Sequence, residues 1–201
     1  KQSVYGVIDD ITTGSAYTRS SLTQRSVTAV GDERYFQDLV NLTTKGWYLD
    51  LGVTGGGTSA IAQGERSVGN PVVEGGVVFF PTYQPTVSEG CSTTGLNRLY
   101  GLNALSGGAG LSQVKIGSPM ATPTGSTTGA LALNTGGSAP VKDVAVLSTA
   151  RFPPLTCVPG TPGCTETLPP GTGCSMVVQV AGAPPMYLPR PCGRQSWRQV
   201  R

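Results

Sequence analysis

The chain has 201 residues, a formal net charge of +3, and only 12% charged residues. So small a charge argues against a nucleic acid partner, because affinity for the phosphate backbone depends on many Lys and Arg contacts. No apolar run is long enough to span a membrane as a helix. The charged fraction is about half that of an average soluble domain, which favours a secreted protein.

Short Val-rich runs separated by Gly and Pro predict a turn-rich, all-β fold. In strand 46–53, alternation places Trp47, Leu49 and Leu51 on one face and Tyr48 and Asp50 on the other. Only 32–42 has partial helical spacing, and a short helix or turn is expected there. The other strands are predicted at 3–8, 25–30, 71–74, 77–82, 98–102, 111–116, 130–133, 141–149, 176–180 and 186–188.

The segment 71–82 predicts a β-hairpin. Gly75 and Gly76 supply the positive φ values of a two-residue primed turn. The register then sets Glu74 opposite Val77 and predicts that Glu74 is a solvated residue at the hairpin tip. Because both faces of this hairpin carry apolar side chains, we expect it to lie between two neighbouring blades of a β-propeller.

A repeated unit predicts β-propeller blades. Segments 4–14 and 99–107 each contain a strand with a central Tyr, a polar turn and then Thr-Gly or Ser-Gly. Propellers have typically about 4–8 blades, and at about 40–50 residues per blade the chain holds about two or three. We therefore expect an incomplete ring, the C-terminal part of a propeller, over 1–150, and a Cys/Pro-rich hairpin and closing tail over 151–201. An upstream region or a second chain would supply the missing blades.

The five cysteines favour disulfides, because the chain is poor in charge and rich in Gly, Ser and Thr. Cys157 and Cys164 enclose a short Pro/Gly loop, and Cys174 and Cys192 flank a predicted hairpin that would set their sulfur atoms opposite each other. We prefer the pairs 157–164 and 174–192, although four cysteines allow three pairings. Cys91 is then left unpaired within the chain. The spacing lacks the close cysteine pair of a zinc knuckle, which disfavours zinc.

No catalytic constellation emerges. The chain contains no histidine, which removes Ser-His-Asp and Cys-His catalysis. Asp9 and Asp10 indicate a turn and lack calcium-loop spacing, and the glycine-rich 52–58 indicates a turn rather than a phosphate cradle. The sequence therefore predicts a protein that is not an enzyme and has no cofactor or metal residue.

Four aromatic residues are interpreted as packing residues rather than a ligand platform: Trp47, Tyr48, Tyr83 and Trp197.

An ordered set of motifs resembles the C-terminal β-propeller of the PilY/PilC family, whose members are associated with the tips of type IV pili. The likeness covers most of 1–150 and the C-terminal end, where Gln199 replaces the acidic residue frequent in the family. The segment 152–191 matches nothing in that pattern. The motifs are GWYLDL at 46–51, GER at 64–66, the hairpin 70–80, Cys91, RLYGLNA at 98–104 and GRQSWR at 193–198.

The resemblance implies a large secreted protein that sits on minor pilins or other tip subunits, promotes pilus assembly by opposing retraction, and mediates adhesion. It implies an extracellular location, at the pilus tip or the outer cell surface. Some members bind calcium through an Asp-rich loop of the propeller. No such loop is visible in this sequence, so calcium is not carried over.

Two alternatives stay open from the sequence. One is a secreted β module that binds carbohydrate or another surface, and a compact monomer would support it. The other is an enzyme on a quinoprotein-like propeller, which bound quinone absorbance would reveal. Co-purification with minor pilins would favour the pilus-tip interpretation.

Overall fold

The computed structural model describes residues 2–9, 16–30, 32–36, 45–54, 61–86, 94–112, 114–116, 128–133, 135, 139–149, 162–163 and 174–190. Within these ranges the chain forms β-strands and one turn of 3-10 helix, Arg19–Ser21. The predicted all-β class is confirmed, while the propeller arrangement stays a prediction. The strands are β1 Ser3–Val7, β2 Thr23–Gln24, β3 Val27–Val30, β4 Glu33–Phe36, β5 Gly46–Asp50, β6 Val53–Thr54, β7 Ile61–Ala62, β8 Arg66–Ser67, β9 Val72–Glu74, β10 Val77–Pro85, β11 Gly95–Asn103, β12 Lys115–Ile116, β13 Thr128–Leu133, β14 Val144–Thr149, β15 Cys174–Val180 and β16 Met186–Arg190.

A three-stranded sheet has β5 at its centre, with β1 antiparallel on one side and β2 parallel on the other. The predicted alternation of β5 is confirmed, because Trp47 and Leu49 are buried on one face. The Trp47 indole Nε1 donates to the carbonyl oxygen of Ala104 at 3.0 Å. Across the strand pair, the Trp47 ring occupies the space where a side chain at Gly6 would stand. This sheet is thus joined to the rest of the molecule through its inner face.

The largest sheet has the strand order β3-β4-β13-β11-β10-β8, and β9 also pairs with β10. Its longest ladder joins β10 to β11, from Val77 opposite Asn103 to Pro85 opposite Gly95. Pro81 lies between the part of β10 that pairs with β9 and the part that pairs with β8. A proline is tolerated there because that side of β10 has no described ladder partner at this residue.

The hairpin of β9 and β10 has the predicted register, with Glu74 opposite Val77. Gly75 and Gly76 have φ values of 58° and 79°, as a primed two-residue turn requires. The prediction for the Glu74 side chain was wrong in one respect. Glu74 is only partly exposed, and its Oε1 accepts a 2.7 Å hydrogen bond from the Ser148 hydroxyl of β14. The hairpin tip is therefore linked to a second sheet.

The predicted helix or turn at 32–42 was wrong for its first part, because Glu33–Phe36 forms strand β4. The side chains of Arg34 and Phe36 are buried and those of Glu33 and Tyr35 are half-buried, which is the period of a strand. Pairing with β3 and β13 on either side overrides the weak helical spacing. Residues 37–42 lie outside the described residues.

The third sheet has the order β12-β16-β15-β14, and all of its pairs are antiparallel. The predicted hairpin near the C-terminal end is present as β15 and β16. In its register Cys174 faces Arg190, with Met176 opposite Leu188. Cys192 lies outside the described residues, so the expectation that it stands opposite Cys174 stays a prediction. This sheet combines strands from both sides of residue 150, and the division of the chain there stays a prediction.

Two hydrophobic clusters of buried residues lie on opposite faces of the large sheet. Phe79 belongs to the first cluster and Phe80 to the second, so the two faces of β10 pack against different layers. Strand β10 of the hairpin thus lies between two layers, whereas Val73 of β9 is 61% exposed. The expected place of the hairpin between propeller blades stays a prediction. The first cluster contains Phe79, Leu99, Leu111, Val114, Leu131, Leu133, Val141, Val144, Met176, Val178, Val180, Met186 and Leu188. The second contains Phe36, Trp47, Leu49, Leu51, Phe80, Tyr100, Leu102 and Ala130.

Candidate functional site

The outer face of the three-stranded sheet carries a group of polar and aromatic side chains that we call the tyrosine–arginine cluster: Tyr5, Arg19, Tyr48 and Asp50. Strand alternation explains how they meet. On β5, Tyr48 and Asp50 face away from the buried Trp47 and Leu49. On β1, Tyr5 lies directly opposite Tyr48 and therefore shares its face.

Arg19 joins the members of the cluster. Its Nη2 donates to both Asp50 oxygens, at 2.6 Å to Oδ1 and 2.7 Å to Oδ2. Its Nη1 donates to the Tyr5 hydroxyl at 3.1 Å and to the Ser3 hydroxyl at 3.3 Å. The guanidinium carbon lies 4.1 Å from the centre of the Tyr48 ring, which is a cation–π contact. The hydrogen bonds to Asp50 and then to Tyr48 are the main causes that raise the pKa of Arg19 above its ordinary value.

The polar groups of the cluster are largely engaged within the protein. Asp50 is 7% exposed, and it also accepts from Ser3 Oγ at 2.6 Å and from Gln24 Nε2 at 3.4 Å. Tyr5, in contrast, is 49% exposed. The cluster therefore presents aromatic surface held in place by a fixed guanidinium. Tyr and Arg are the side chains that most often dominate protein–protein binding energy.

A second polar group is buried in the large sheet and its surroundings. Glu65 and Arg98 are each 2% exposed, and Glu65 Oε1 lies 3.5 Å from Arg98 Nη1. The Thr82 hydroxyl donates to the same Glu65 oxygen at 2.7 Å. Arg98 also donates through Nη1 to Gln84 Oε1 at 2.7 Å, and through Nε to the Asp32 carbonyl oxygen at 2.9 Å.

The side chains of this buried group are out of reach of a substrate, and they contribute to the stability of the fold. Removing one member would leave a buried charge without compensation, which is costly. Burial raises the pKa of the Tyr100 phenol, and the negative charge of Glu65 raises that pKa further. We therefore take the exposed tyrosine–arginine cluster as the candidate functional site.

The structure places several of the residues selected from the sequence. Cys174 begins β15, whereas Cys91, Cys157, Cys164 and Cys192 lie outside the described residues, so the disulfide pairs stay predictions. Trp47 and Tyr83 are buried, as expected of packing aromatics.

Tyr48 lies half-buried on the outer face beneath Arg19, on the face that alternation predicted, and its assignment as a packing residue stays a prediction. Asp9 is exposed, while Asp10, Trp197 and most of 52–58 lie outside the described residues.

Sequence reasoning missed Arg19 and Glu65. Arg19 precedes Asp50 by 31 residues in the sequence, and no local pattern connects them. Alternation did place Asp50 on the outer face, and a lone carboxylate beside Tyr48 was the one signal that could have pointed to a cationic partner. Glu65 carries no such signal, because its partners Thr82 and Arg98 come from strands that meet only in the folded sheet.

Among the described residues, no group of three or more His, Cys, Asp or Glu side chains is arranged to hold a metal ion. The described residues also include no helix with the length and apolarity needed to cross a bilayer.

Comparison with known proteins gives one informative match. Over 167 residues, covering 80% of this chain, the sequence is 44% identical to the type IV pilus biogenesis factor PilY1 homolog of Xylella fastidiosa. The chain spans 11% of the length of that relative. No family model matches the chain, and no solved structure matches it either. The resemblance inferred from the sequence is confirmed, and the chain belongs with PilY1-like proteins.

Proposed function

We propose that this chain is a non-enzymatic part of a type IV pilus biogenesis factor and that it acts by binding other proteins of the pilus, such as minor pilins, at the cell surface. The observation that carries the proposal is the 44% identity over 80% of the chain to a PilY1 homolog. An extracellular position at the pilus tip and a contribution to surface adhesion form part of the proposal.

The geometry supports binding rather than catalysis. In the tyrosine–arginine cluster, the acid is buried and its oxygens already accept hydrogen bonds from Arg19, Ser3 and Gln24. A general acid or base needs a free position from which to exchange a proton with substrate. What the cluster offers is a rigid aromatic surface, which loses little conformational entropy when a partner covers it.

In-frame deletion of all 201 residues of this chain from the full-length protein tests the pilus role. We expect loss of surface pili and loss of co-purification with minor pilins, while the remaining protein is still secreted. Normal piliation with a secreted, truncated protein would contradict the proposed function.

Point variants test the site. Tyr5→Ala and Arg19→Ala in the full-length protein should lower the amount of minor pilin that co-purifies, whereas Gln179→Ala, at another exposed position, should not. Equal recovery in all three variants would exclude the tyrosine–arginine cluster as the binding surface and leave the pilus role to the deletion experiment.

A further inference from the structure

Strand β1 has one edge that no described strand covers. In the three-stranded sheet the order is β1-β5-β2, so β1 pairs with β5 alone. Ile8 N donates to Lys45 O and Leu51 N donates to Gln2 O, each at 2.9 Å. Because bonding alternates along an antiparallel strand, the residues of even number in β1 face β5. The backbone N–H and C=O groups of Ser3, Tyr5 and Val7 therefore point away from β5.

The composition of β1 makes this edge unusual. Natural proteins protect an exposed edge with a charged side chain, a proline or a bulge. The sequence Ser3–Val7, SVYGV, has no charge and no proline, and its register against β5 is uninterrupted. An edge of this kind is a template for a further strand.

The side chains beside the edge are also uncovered. Tyr5 is 49% exposed and Val7 is 51% exposed, and both lie on the outer face of the sheet. A strand added next to β1 would place its alternate side chains against these two residues, as happens when an extended segment joins a sheet. Strand addition would thus satisfy the outward backbone groups and flank Tyr5 and Val7 from the edge, while the outer face of the tyrosine–arginine cluster stays open to a partner.

The edge strand β14 gives a contrast within the same molecule. It also ends its sheet, and Leu147 there is 61% exposed. Ser148 of β14, however, donates to Glu74 of the neighbouring hairpin at 2.7 Å, so a described element already flanks that strand. Beside β5, the described neighbour of β1 is Arg19, which binds the side chains of Ser3 and Tyr5 on the sheet face. Among the described residues, no bond is made to the outward backbone groups of Ser3, Tyr5 and Val7.

We propose that the outer edge of β1 pairs with a β-strand from another part of the full-length polypeptide, outside these 201 residues. The PilY1 homolog that the chain matches is far longer, since the chain spans 11% of it. A strand tethered to the same polypeptide is present at high effective concentration, which favours it over a strand from a separate protein. The inference does not depend on the proposed pilus role.

Residue-resolved hydrogen exchange on the full-length protein provides the first test. With β5 as the only partner, the amides of Val4 and Gly6 would be protected and those of Tyr5 and Val7 would exchange rapidly. With the added strand, we expect Tyr5 and Val7 to exchange as slowly as Val4 and Gly6. Rapid exchange confined to Tyr5 and Val7 would overturn the proposal.

Photocrosslinking identifies where the added strand comes from. The full-length protein carries p-benzoylphenylalanine in place of Tyr5 in one variant and of Val7 in another. We expect crosslinks within one polypeptide, to residues two positions apart in one segment, because neighbouring strands keep register. Crosslinks from position 7 to a minor pilin would overturn the proposal, as would crosslinks to a second copy, to other residues of these 201 or to scattered positions, and so would the absence of crosslinks.

A matched pair of variants addresses the backbone directly. Val7→Pro removes an N–H that points away from β5, whereas Val7→Ala keeps that N–H and removes most of the side chain. We expect Val7→Pro to lower the unfolding temperature of the full-length protein more than Val7→Ala does. An equal effect of the two variants would show that the Val7 N–H has no partner.

Discussion

Phe79 and Phe80 are consecutive residues, yet they belong to two separate hydrophobic clusters. Phe79 is fully buried in the cluster that includes Met176 and Val178. Phe80 is 1% exposed, and its ring stacks on Tyr100 with centroids 5.0 Å apart and an interplanar angle of 9°. Strand β10 thus forms the wall between two cores.

Each phenylalanine should contribute separately to stability. Phe79→Ala and Phe80→Ala are each expected to lower the free energy of unfolding by about 3–5 kcal/mol, because each leaves a cavity in a well-packed cluster. Urea unfolding followed by tryptophan fluorescence measures the change. Val73→Ala is the control, since Val73 is exposed on the same hairpin. A loss as large in Val73→Ala as in the other two variants would contradict this assignment of the cores.

Tyr100 should make stability depend on alkaline pH. Burial, and then the charge of Glu65, raises the pKa of the Tyr100 phenol in the folded protein. An unfolded phenol titrates near pH ~10. The stabilisation is therefore fully present below that pH and is lost as the pH rises above it, because the unfolded state releases its proton first.

Urea titrations at several alkaline pH values test this dependence. In the Tyr100→Phe variant, the fall in the free energy of unfolding above pH ~10 should be smaller than in the wild type. If the free energy of unfolding falls equally steeply with pH in both proteins, groups other than Tyr100 cause the pH dependence.

The turn between β9 and β10 should tolerate asparagine better than alanine. Gly76 has a φ of 79°, and a Cβ there would meet nothing within 4 Å. The cost of Gly76→Ala is therefore conformational, about 1–2 kcal/mol, and Gly76→Asn should cost less because Asn adopts this region more readily. Thermal unfolding compares the two variants, and equal losses would indicate a steric origin instead.

Arg19 should matter more for the arrangement of the tyrosine–arginine cluster than for the free energy of unfolding. Its side chain is 44% exposed, so Arg19→Ala is expected to cost no more than about 1 kcal/mol. Arg19→Lys should not restore the wild-type behaviour, because lysine has one nitrogen and cannot replace Nη2 at Asp50 together with Nη1 at Tyr5 and Ser3. Full recovery of stability and of pilin co-purification in Arg19→Lys would show that charge alone is sufficient.

The cysteine pairs can be read by non-reducing peptide mapping. We expect Cys174 joined to Cys192 and Cys157 joined to Cys164. In the β15–β16 register, Cys174 faces Arg190, and Cys192 follows Arg190 by two residues in the sequence. A peptide that joins Cys174 to Cys157 would overturn this pairing.

The sequence predicted the local features well. The Gly75-Gly76 turn fixes the β9–β10 register by itself, and alternation alone assigns Trp47 to the core. Features that depend on distant partners were not predictable in this way. Strand β4 is held by β13, far along the chain, and its weak helical spacing was misleading.

The candidate site was predictable only in part. The position of Asp50 on the outer face followed from its strand, but the approach of Arg19 depends on the path of the chain through its 3-10 turn. The burial of Glu65 likewise depends on Thr82 and Arg98, which alternation alone does not bring to it.

The pairing of β10 with β11, from Val77 opposite Asn103 to Pro85 opposite Gly95, also has a mechanical consequence. A force that pulls these two strands lengthwise past each other loads all the bonds of the ladder in parallel, whereas a force at one end opens them one after another. Because Phe79 and Phe80 anchor β10 in layers on both sides, sliding would also have to disrupt both layers. Single-molecule pulling along the strands should therefore rupture this sheet at a higher force than pulling across them.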